Sequence, residues 1–271
     1  MEDKSVLLNN NIKMRYLESK GDPTSDRHIL FIHGLGSSAD RWLDIPEALS
    51  NYYHTMAVDL IGFGLSDKPA DVNYTIEKFA EFILDFIEKK GLNVDDGKIT
   101  LVGHSLGGYI AVEFAIRNKE LIEKLVLIDS SGFLKGPTPL LEQYLYAAKY
   151  TTYDNVKNVF EQLVSQPWKV LPALVYTFIT RINSPGAKYP FESAYKNSTT
   201  TQIDLSRLKS INDIPTLIIW GSNDNLIPIE HSNSFKQVLD KCKVQIIEDS
   251  GHAPFAEKPA ITCEILHTFL S

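Results

Sequence analysis

The stretch that decides the fold reads Ile99-Thr-Leu-Val-Gly-His-Ser-Leu-Gly-Gly108. Its first four residues are apolar or β-branched, which is typical of a buried strand, and residues 108–117 predict a helix. Between the two stands Gly-x-Ser-x-Gly, a pattern that marks a tight strand-to-helix turn presenting a serine hydroxyl. We therefore predict that Ser105 is a nucleophile. The backbone N–H of Leu106, at the start of the helix, is predicted to point toward a developing oxyanion.

Outward from this stretch, short apolar runs alternate with longer amphipathic segments, which is the pattern of an α/β fold. The longest amphipathic segment, Tyr74–Lys90, predicts a helix that ends at Gly91. Residues 5–8 and 12–17 flank three asparagines at 9–11, which predicts a hairpin. The near-continuous apolar character of the other runs indicates parallel strands buried on both faces. These runs are His28–Ile32, Thr55–Val58, Ile99–Val102, Lys124–Ile128, Thr216–Trp220 and Val244–Ile247.

The alternation stops between about Gly132 and Leu205, where no run resembles a buried strand. We predict an α/β core domain at residues 1–133 and 206–271, with a helical cap inserted at residues 134–205. Aromatic residues of the cap are expected either to pack the cap itself or to make a substrate pocket apolar. They are Tyr144, Tyr146, Tyr150, Phe160, Trp168, Tyr176 and Phe178. A closing helix is predicted after Pro259, with one face formed by Ile261, Ile265 and Phe269.

A serine hydroxyl needs a neighbouring base, and His252 is the strongest candidate among the seven histidines. It follows the predicted strand at 244–247, so it lies at the carboxyl end of a strand, where open α/β sheets build their sites. His104 is next to Ser105 in sequence, but its side chain is expected to leave the turn in another direction. The sequence around four further histidines favours structural or surface positions. They are His28, His54, His231 and His267.

The base in turn needs a carboxylate to hold its tautomer. Asp224, which follows the strand ending at Trp220, gives the chain order Ser, Asp, His that the Gly-x-Ser-x-Gly pattern accompanies. Asp129 is the rival because it also follows a strand, whereas Asp249 is too close in sequence to His252. A second oxyanion donor is expected after the third strand, where the backbone N–H of Leu35 lies in the sequence His33-Gly-Leu-Gly36.

These motifs together resemble the α/β-hydrolase family. They are His33-Gly-Leu-Gly36, Asp59-Leu-Ile-Gly-Phe-Gly-Leu-Ser66, Gly103-His-Ser-Leu-Gly107, Asp224 and Gly251-His252. The chain is most similar to small bacterial and archaeal esterase-like members with a helical cap after the sixth strand. The resemblance covers nearly the whole chain except the cap. It implies an eight-stranded, mostly parallel sheet flanked by helices, and it makes residues 59–66 a structural turn.

The resemblance implies a carboxylesterase that cleaves a small, largely apolar ester through an acyl-enzyme. Relatives that act on haloalkanes or epoxides use an aspartate as nucleophile, which the serine at 105 excludes. The meta-cleavage-product C–C hydrolases usually carry Asn where this chain has His104, so C–C hydrolysis stays open as an alternative. Thioester hydrolysis, perhydrolysis and slow-turnover ligand sensing stay open as well. The expected mechanism uses no metal and no cofactor.

Composition limits the partners. The 271 residues carry a net charge of −7 with no dense run of Lys or Arg, which argues against nucleic acid. No apolar run reaches the length of a membrane span and no secretory signal is visible, so a cytoplasmic protein without a membrane partner is expected. Cys242 and Cys263 are predicted to be free thiols. The expected partner is a small-molecule ester, and a homodimer is left open.

Overall fold

The computed structural model describes residues 1–19, 27–42, 44–92 and 98–271, and the strands in these ranges form one eight-stranded sheet. The strand order is β1-β2-β4-β3-β5-β6-β7-β8. This architecture confirms the predicted fold class. The strands are β1 Glu2–Leu7, β2 Lys13–Glu18, β3 His28–Ile32, β4 His54–Val58, β5 Ile99–His104, β6 Ile122–Ile128, β7 Thr216–Gly221 and β8 Cys242–Ile247.

The strand directions place the loops that follow the parallel strands at one edge of the sheet. β1 pairs antiparallel with β2, and β2 pairs antiparallel with β4. The predicted hairpin is confirmed, because Asn10 and Asn11 adopt φ values of 63° and 60° between β1 and β2. All pairs from β4 through β8 are parallel. The carboxyl ends of β3, β5, β6, β7 and β8 therefore meet at the same edge.

Helices cover both faces of the sheet. Helix α2 begins at Ile76 rather than at the predicted Tyr74, because the Thr75 hydroxyl accepts a hydrogen bond from the Lys78 N–H at 3.1 Å and caps the helix. It ends as predicted at Gly91, whose φ is 63°. The helices are α1 Asp44–Leu49, α2 Ile76–Lys90, α3 Leu106–Arg117, α4 Pro139–Lys149, α5 Tyr153–Leu163, α6 Pro172–Ile182, α7 Lys188–Thr200, α8 Leu205–Leu208, α9 His231–Lys236, α10 Pro254–Glu257 and α11 Pro259–Leu270.

The core consists of two apolar layers, one on each face of the sheet. Successive residues of the central strands alternate between them: Leu101 and Leu127 pack into the layer that includes α2 and α3, and Val102 and Val126 into the layer that includes α1 and α11. This alternation follows from the two-residue period of a strand. It explains why the central strands read as continuous apolar runs in sequence.

The predicted face of the closing helix is confirmed for two of its three residues. Ile265 and Phe269 are half-buried and pack against the core, whereas Ile261 is 48% exposed. The fully buried residues of α11 are Thr262, Leu266 and Leu270, one position further along. The helix carries two adjacent apolar stripes, and contacts with α1 and α10 decide which of them turns inward. Periodicity alone cannot distinguish two neighbouring stripes on one helix.

The segment between β6 and β7 is helical, with α4 packed on α5, α5 on α6, and α7 in contact with α4. Arg181, near the end of α6, joins this segment to the loop after β3 through hydrogen bonds to Ser38 and Asp40. The division into a cap at 134–205 and a core stays a prediction. Among the described helices, none has both the length and the apolar character that crossing a membrane requires.

Candidate active site

Ser105 lies at the turn between β5 and α3 in a backbone conformation that is rare for a residue with a side chain. Its φ and ψ are 55° and −119°. The surrounding sheet holds this strain, because the Ser105 N–H donates to the Ile128 carbonyl at 3.0 Å and the Ser105 carbonyl accepts from the Gly108 N–H at 3.0 Å. The tight strand-to-helix turn predicted from the sequence is present.

The glycines that flank the turn allow its backbone to approach its neighbours closely. A Cβ added to Gly107 would lie 2.2 Å from the Ile32 carbonyl oxygen. One added to Gly103 would lie 2.4 Å from the carbonyl oxygen of Gly107. No side chain fits at either position without moving backbone, so close approach explains both glycines.

His252 and Asp224 form a buried hydrogen-bonded pair. The distance between His252 Nδ1 and Asp224 Oδ2 is 2.8 Å, and the Asp224 side chain is inaccessible to solvent. The other carboxylate oxygen accepts from the N–H groups of Leu226 and Ile227 at 2.8 and 3.0 Å. A carboxylate in this position fixes the proton on Nδ1 and leaves Nε2 as an acceptor. His252 and Ser105 line the same cavity.

The backbone of His252 also contacts the helical segment between β6 and β7. The backbone N–H of His252 donates to the carbonyl of Leu163 at 2.8 Å. The preceding residue, Gly251, packs so closely there that an added Cβ would lie 2.3 Å from the same carbonyl oxygen. The loop that carries His252 is therefore in direct contact with the end of α5.

Asp129, the rival carboxylate, lies close by but does not bond to His252. One of its oxygens accepts from the Gly221 N–H at 2.9 Å, and the other has no partner among the described residues. Burial, together with the charge of Asp224, raises the pKa of Asp129 well above its ordinary range. Asp129 is thus favoured as a neutral acid, whereas Asp224 accepts three hydrogen bonds as a carboxylate.

The raised pKa of Asp129 has a consequence for stability. In the unfolded chain the group ionises near pH 4, whereas in the folded state it keeps its proton to higher pH, so folding becomes less favourable as pH rises above about 4. We expect Asp129→Asn to increase the free energy of unfolding relative to the wild type, by an amount that grows from pH 4 toward neutrality. Urea denaturation at a series of pH values measures this difference. A constant difference across the series would contradict the protonated state.

His104 does not leave the site as expected. Its Nε2 donates to the His252 carbonyl oxygen at 2.6 Å, and the centroids of the two imidazole rings are 4.8 Å apart. Burial, followed by the charge of His252, lowers the pKa of His104 well below its usual value, so its ring is neutral. The His104 ring makes edge-on contacts with the rings of Trp42 and Phe255, which stack on each other.

Of the two predicted oxyanion donors, Leu35 lines this cavity, and Leu106 directly follows the cavity-lining Ser105. The N–H of Leu106 opens α3, and neither it nor the N–H of Leu35 has a protein acceptor among the described residues. Leu35 lies in a loop that His33 holds, with Nδ1 donating to the Gly34 carbonyl at 2.7 Å and Nε2 accepting from the Leu60 N–H at 3.0 Å. Burial lowers the pKa of His33, which keeps this neutral tautomer.

One group of possible metal ligands occurs within the described ranges. His104, Asp129 and His252 each bring one candidate ligand atom to within 4.8 Å of the others, and all three residues are buried. One nitrogen of each imidazole is already used, His252 Nδ1 by Asp224 and His104 Nε2 by the His252 carbonyl. Hydrogen bonds therefore occupy one nitrogen of each imidazole, whereas one oxygen of Asp129 has no partner among the described residues.

The cavity is apolar for most of its lining, but it also contains two arginines. Of the seven aromatic residues expected either to pack the cap or to make the pocket apolar, Tyr144, Phe160 and Phe178 line the cavity. Sequence reasoning missed Arg41 and Arg181, which line the cavity as well. The other four, Tyr146, Tyr150, Trp168 and Tyr176, are exposed.

Sequence relatives include two classes of enzyme. The chain is 28% identical to a 2-hydroxy-6-oxo-6-(2'-aminophenyl)hexa-2,4-dienoic acid hydrolase of Metapseudomonas resinovorans, with 96% of this chain and 88% of the relative aligned. It is also 28% identical to Lipase 1 of Psychrobacter immobilis, over 100% of this chain and 84% of the relative.

A solved structure and a family model agree on the fold. The meta-cleavage product hydrolase of Pseudomonas fluorescens IP01 superimposes with a TM-score of 0.86 over 98% of this chain and 96% of that one, at 23% identity. At that identity the likeness establishes the fold alone. A family model described as alpha/beta hydrolase fold matches residues 27–259. The protein therefore belongs to the α/β-hydrolase fold family.

Proposed function

We propose that this hydrolase is a serine carboxylesterase in which Ser105, His252 and Asp224 are nucleophile, base and acid. The observation that carries the proposal is the buried 2.8 Å pair of His252 and Asp224, in one cavity with a serine on a strained turn. A serine hydroxyl is a weak nucleophile without such a base. A neutral imidazole whose Nδ1 proton is held by a carboxylate provides one.

The proposed reaction has two steps. His252 Nε2 takes the Ser105 proton as the hydroxyl oxygen attacks the ester carbonyl, and the N–H groups of Leu35 and Leu106 stabilise the oxyanion. His252 then returns the proton to the leaving alcohol, which gives an acyl-enzyme. Water, activated by the same imidazole, releases the acid. All the groups in this scheme belong to the protein, so it requires no metal or organic cofactor.

The lining of the cavity supports a small and largely apolar substrate. Leucine and valine side chains accompany the three aromatic rings around Ser105. Apolar surface of this kind binds acyl or aryl groups through burial, at about 25 cal/mol for each Å² removed from water. The partner proposed for this chain is therefore a small-molecule ester.

A series of p-nitrophenyl esters from acetyl to dodecanoyl tests the proposal. We expect rapid release of p-nitrophenol, and the acyl length that gives the highest rate will report how long a chain the cavity accepts. The measurement is kcat/KM at each length, with the heat-denatured protein as the control for spontaneous hydrolysis. An inert wild type across the whole series would contradict the esterase proposal.

C–C bond hydrolysis is the second candidate, because one relative is named as a dienoic acid hydrolase. The same serine and histidine would then act on a vinylogous ketone rather than an ester. Loss of the yellow colour of a ring-cleavage dienoate, at a higher kcat/KM than any p-nitrophenyl ester, would favour this candidate. Thioester hydrolysis and perhydrolysis require the same residues, and tight ligand binding without turnover would instead indicate a sensor.

A further inference from the structure

Arg41 is a cation in the candidate active site without a partner among the residues that the structure describes. It lies on the turn Ala39–Trp42, it is partly buried, and it lines the cavity that contains Ser105. No hydrogen bond or ion pair joins its guanidinium to a residue within the described ranges. Burial is the principal influence on Arg41, and it lowers the pKa of the guanidinium from its ordinary value.

The neighbouring arginines differ from Arg41 in this respect. Arg15 donates to Asp3, Asp40 and Asp59, and its two shortest ion pairs measure 2.8 and 2.9 Å. Arg181, which lines the same cavity, bonds to Ser38 and Asp40. These two arginines therefore connect distant parts of the chain through ion pairs and hydrogen bonds.

Two carboxylates that could pair with Arg41, its sequence neighbour Asp40 and Glu257, whose charge acts on it, are already engaged. Asp40 accepts from Arg15, Arg181 and the Ser38 hydroxyl. Glu257 accepts from the N–H groups of Gly251 and Ser165 at 2.8 and 2.9 Å.

A partly buried guanidinium without a counter-ion is an unfavourable arrangement for a folded protein to keep. Its planar set of donors matches a carboxylate, which can accept two parallel hydrogen bonds. We propose that Arg41 binds a carboxylate carried by the substrate, so that the preferred ester is a small acidic one with an apolar body. The proposal rests on the esterase function and specifies its substrate class.

The neighbours of Arg41 indicate which part of the cavity a substrate carboxylate would occupy. Its charge contributes, after burial and His252, to the lowered pKa of His104, the residue before Ser105. It also lies near Tyr144, whose hydroxyl donates to the Leu35 carbonyl at 3.1 Å. A substrate carboxylate at Arg41 would therefore occupy the part of the cavity beside the loop that carries a proposed oxyanion donor.

Matched pairs of esters test the proposal. For the acyl side, p-nitrophenyl hemiesters of succinate, glutarate and adipate are compared with neutral p-nitrophenyl esters of equal chain length. For the alcohol side, 3-butyryloxybenzoate is compared with phenyl butyrate. The quantity measured is the ratio of kcat/KM for the acidic ester to that for its neutral counterpart, which does not depend on the fraction of active enzyme.

We expect this ratio to be about 10- to 100-fold higher in the wild type than in Arg41→Gln for one of the two sides, the range typical of a charged hydrogen bond. Arg41→Lys keeps the charge without the planar donors and should give an intermediate ratio. Lys169→Gln removes an exposed cation that does not line the cavity, and it should leave the ratio at the wild-type value. Equal ratios in the wild type and Arg41→Gln on both sides would overturn the proposal.

Binding separates this proposal from the esterase function. Calorimetry with 3-phenylpropionate and with the neutral 3-phenylpropanol requires no turnover. We expect the wild type to bind the acid at least 10-fold more tightly than Arg41→Gln does, with similar affinity of both proteins for the alcohol. If no ester is hydrolysed but this difference is present, the esterase proposal fails and the carboxylate site stands. If both proteins bind the acid equally and esters are hydrolysed, the carboxylate site fails and the esterase proposal stands.

Discussion

Replacing Ser105 with alanine should lower kcat for p-nitrophenyl esters by about 10⁵- to 10⁶-fold, the scale of loss when the nucleophile of such a triad is removed. The acyl-enzyme cannot form without the hydroxyl oxygen, so only the binding and oxyanion groups remain to assist hydrolysis by water. Single-turnover and steady-state rates with the best ester of the chain-length series measure the effect. Mass spectrometry of the wild type, quenched during turnover, should show the acyl group on Ser105.

A matched control is available in Ser232→Ala. Ser232 is a buried serine on α9 that does not line the cavity, so its replacement tests the loss of a buried hydroxyl alone. We expect that variant to keep wild-type kcat. Alanine retains a Cβ at position 105, so the strained φ persists in Ser105→Ala and the fold should be preserved, as circular dichroism can verify. Ester hydrolysis within 10-fold of the wild type in Ser105→Ala would rule out the proposed nucleophile.

The second large effect is expected for Asp224→Asn, with a loss in kcat of about 10⁴-fold. An amide NH₂ at this position would donate to Nδ1, which forces the His252 proton onto Nε2 and leaves no acceptor for the Ser105 proton. Asp129→Asn should cost less than 10-fold, because Asp129 bonds to Gly221 rather than to the imidazole. The pair of variants compares two buried carboxyls that lie at the ends of neighbouring strands.

The order of these two effects decides which carboxylate orients the base. A larger loss in Asp129→Asn than in Asp224→Asn would assign the role to Asp129. The double variant adds a further measurement, since Asp129 provides the nearest substitute carboxylate when Asp224 is replaced. A double variant that is much less active than Asp224→Asn would show that Asp129 takes over part of the role.

The parts of the site that follow regular strands could be predicted from the sequence. Ser105 and His252 each follow an apolar run that ends at a glycine-containing turn, and parallel strands bring such turns to one edge of the sheet. For the carboxylate, two strand ends offered candidates, Asp129 and Asp224. Chain order favoured Asp224, and its hydrogen bond to His252 supports that choice. For Ser105 and His252 the information lies in the adjoining strand and turn, whereas Asp224 also required the order of the three residues along the chain.

The parts that depend on contacts between distant segments could not be predicted. That Arg41 has no partner within the described part of the chain becomes visible only when Arg15 of β2 and Arg181 of α6 are seen to share Asp40. The direction of His104 is set by Trp42 and Phe255, which come from other parts of the chain. The inner face of α11 likewise depends on docking, because its two apolar stripes are equivalent in sequence.

The hydrogen bond from His252 to Leu163 limits how freely the helical segment can diverge among relatives. Leu163 is the last residue of α5, where carbonyl groups lack partners within the helix. The His252 N–H therefore donates to a carbonyl that the helix itself does not use. A segment exchanged between two such enzymes would have to end α5 at the same place. The variation that creates new substrate ranges is therefore expected to accumulate in α6 and α7, while the end of α5 evolves at the slow pace of the catalytic loops.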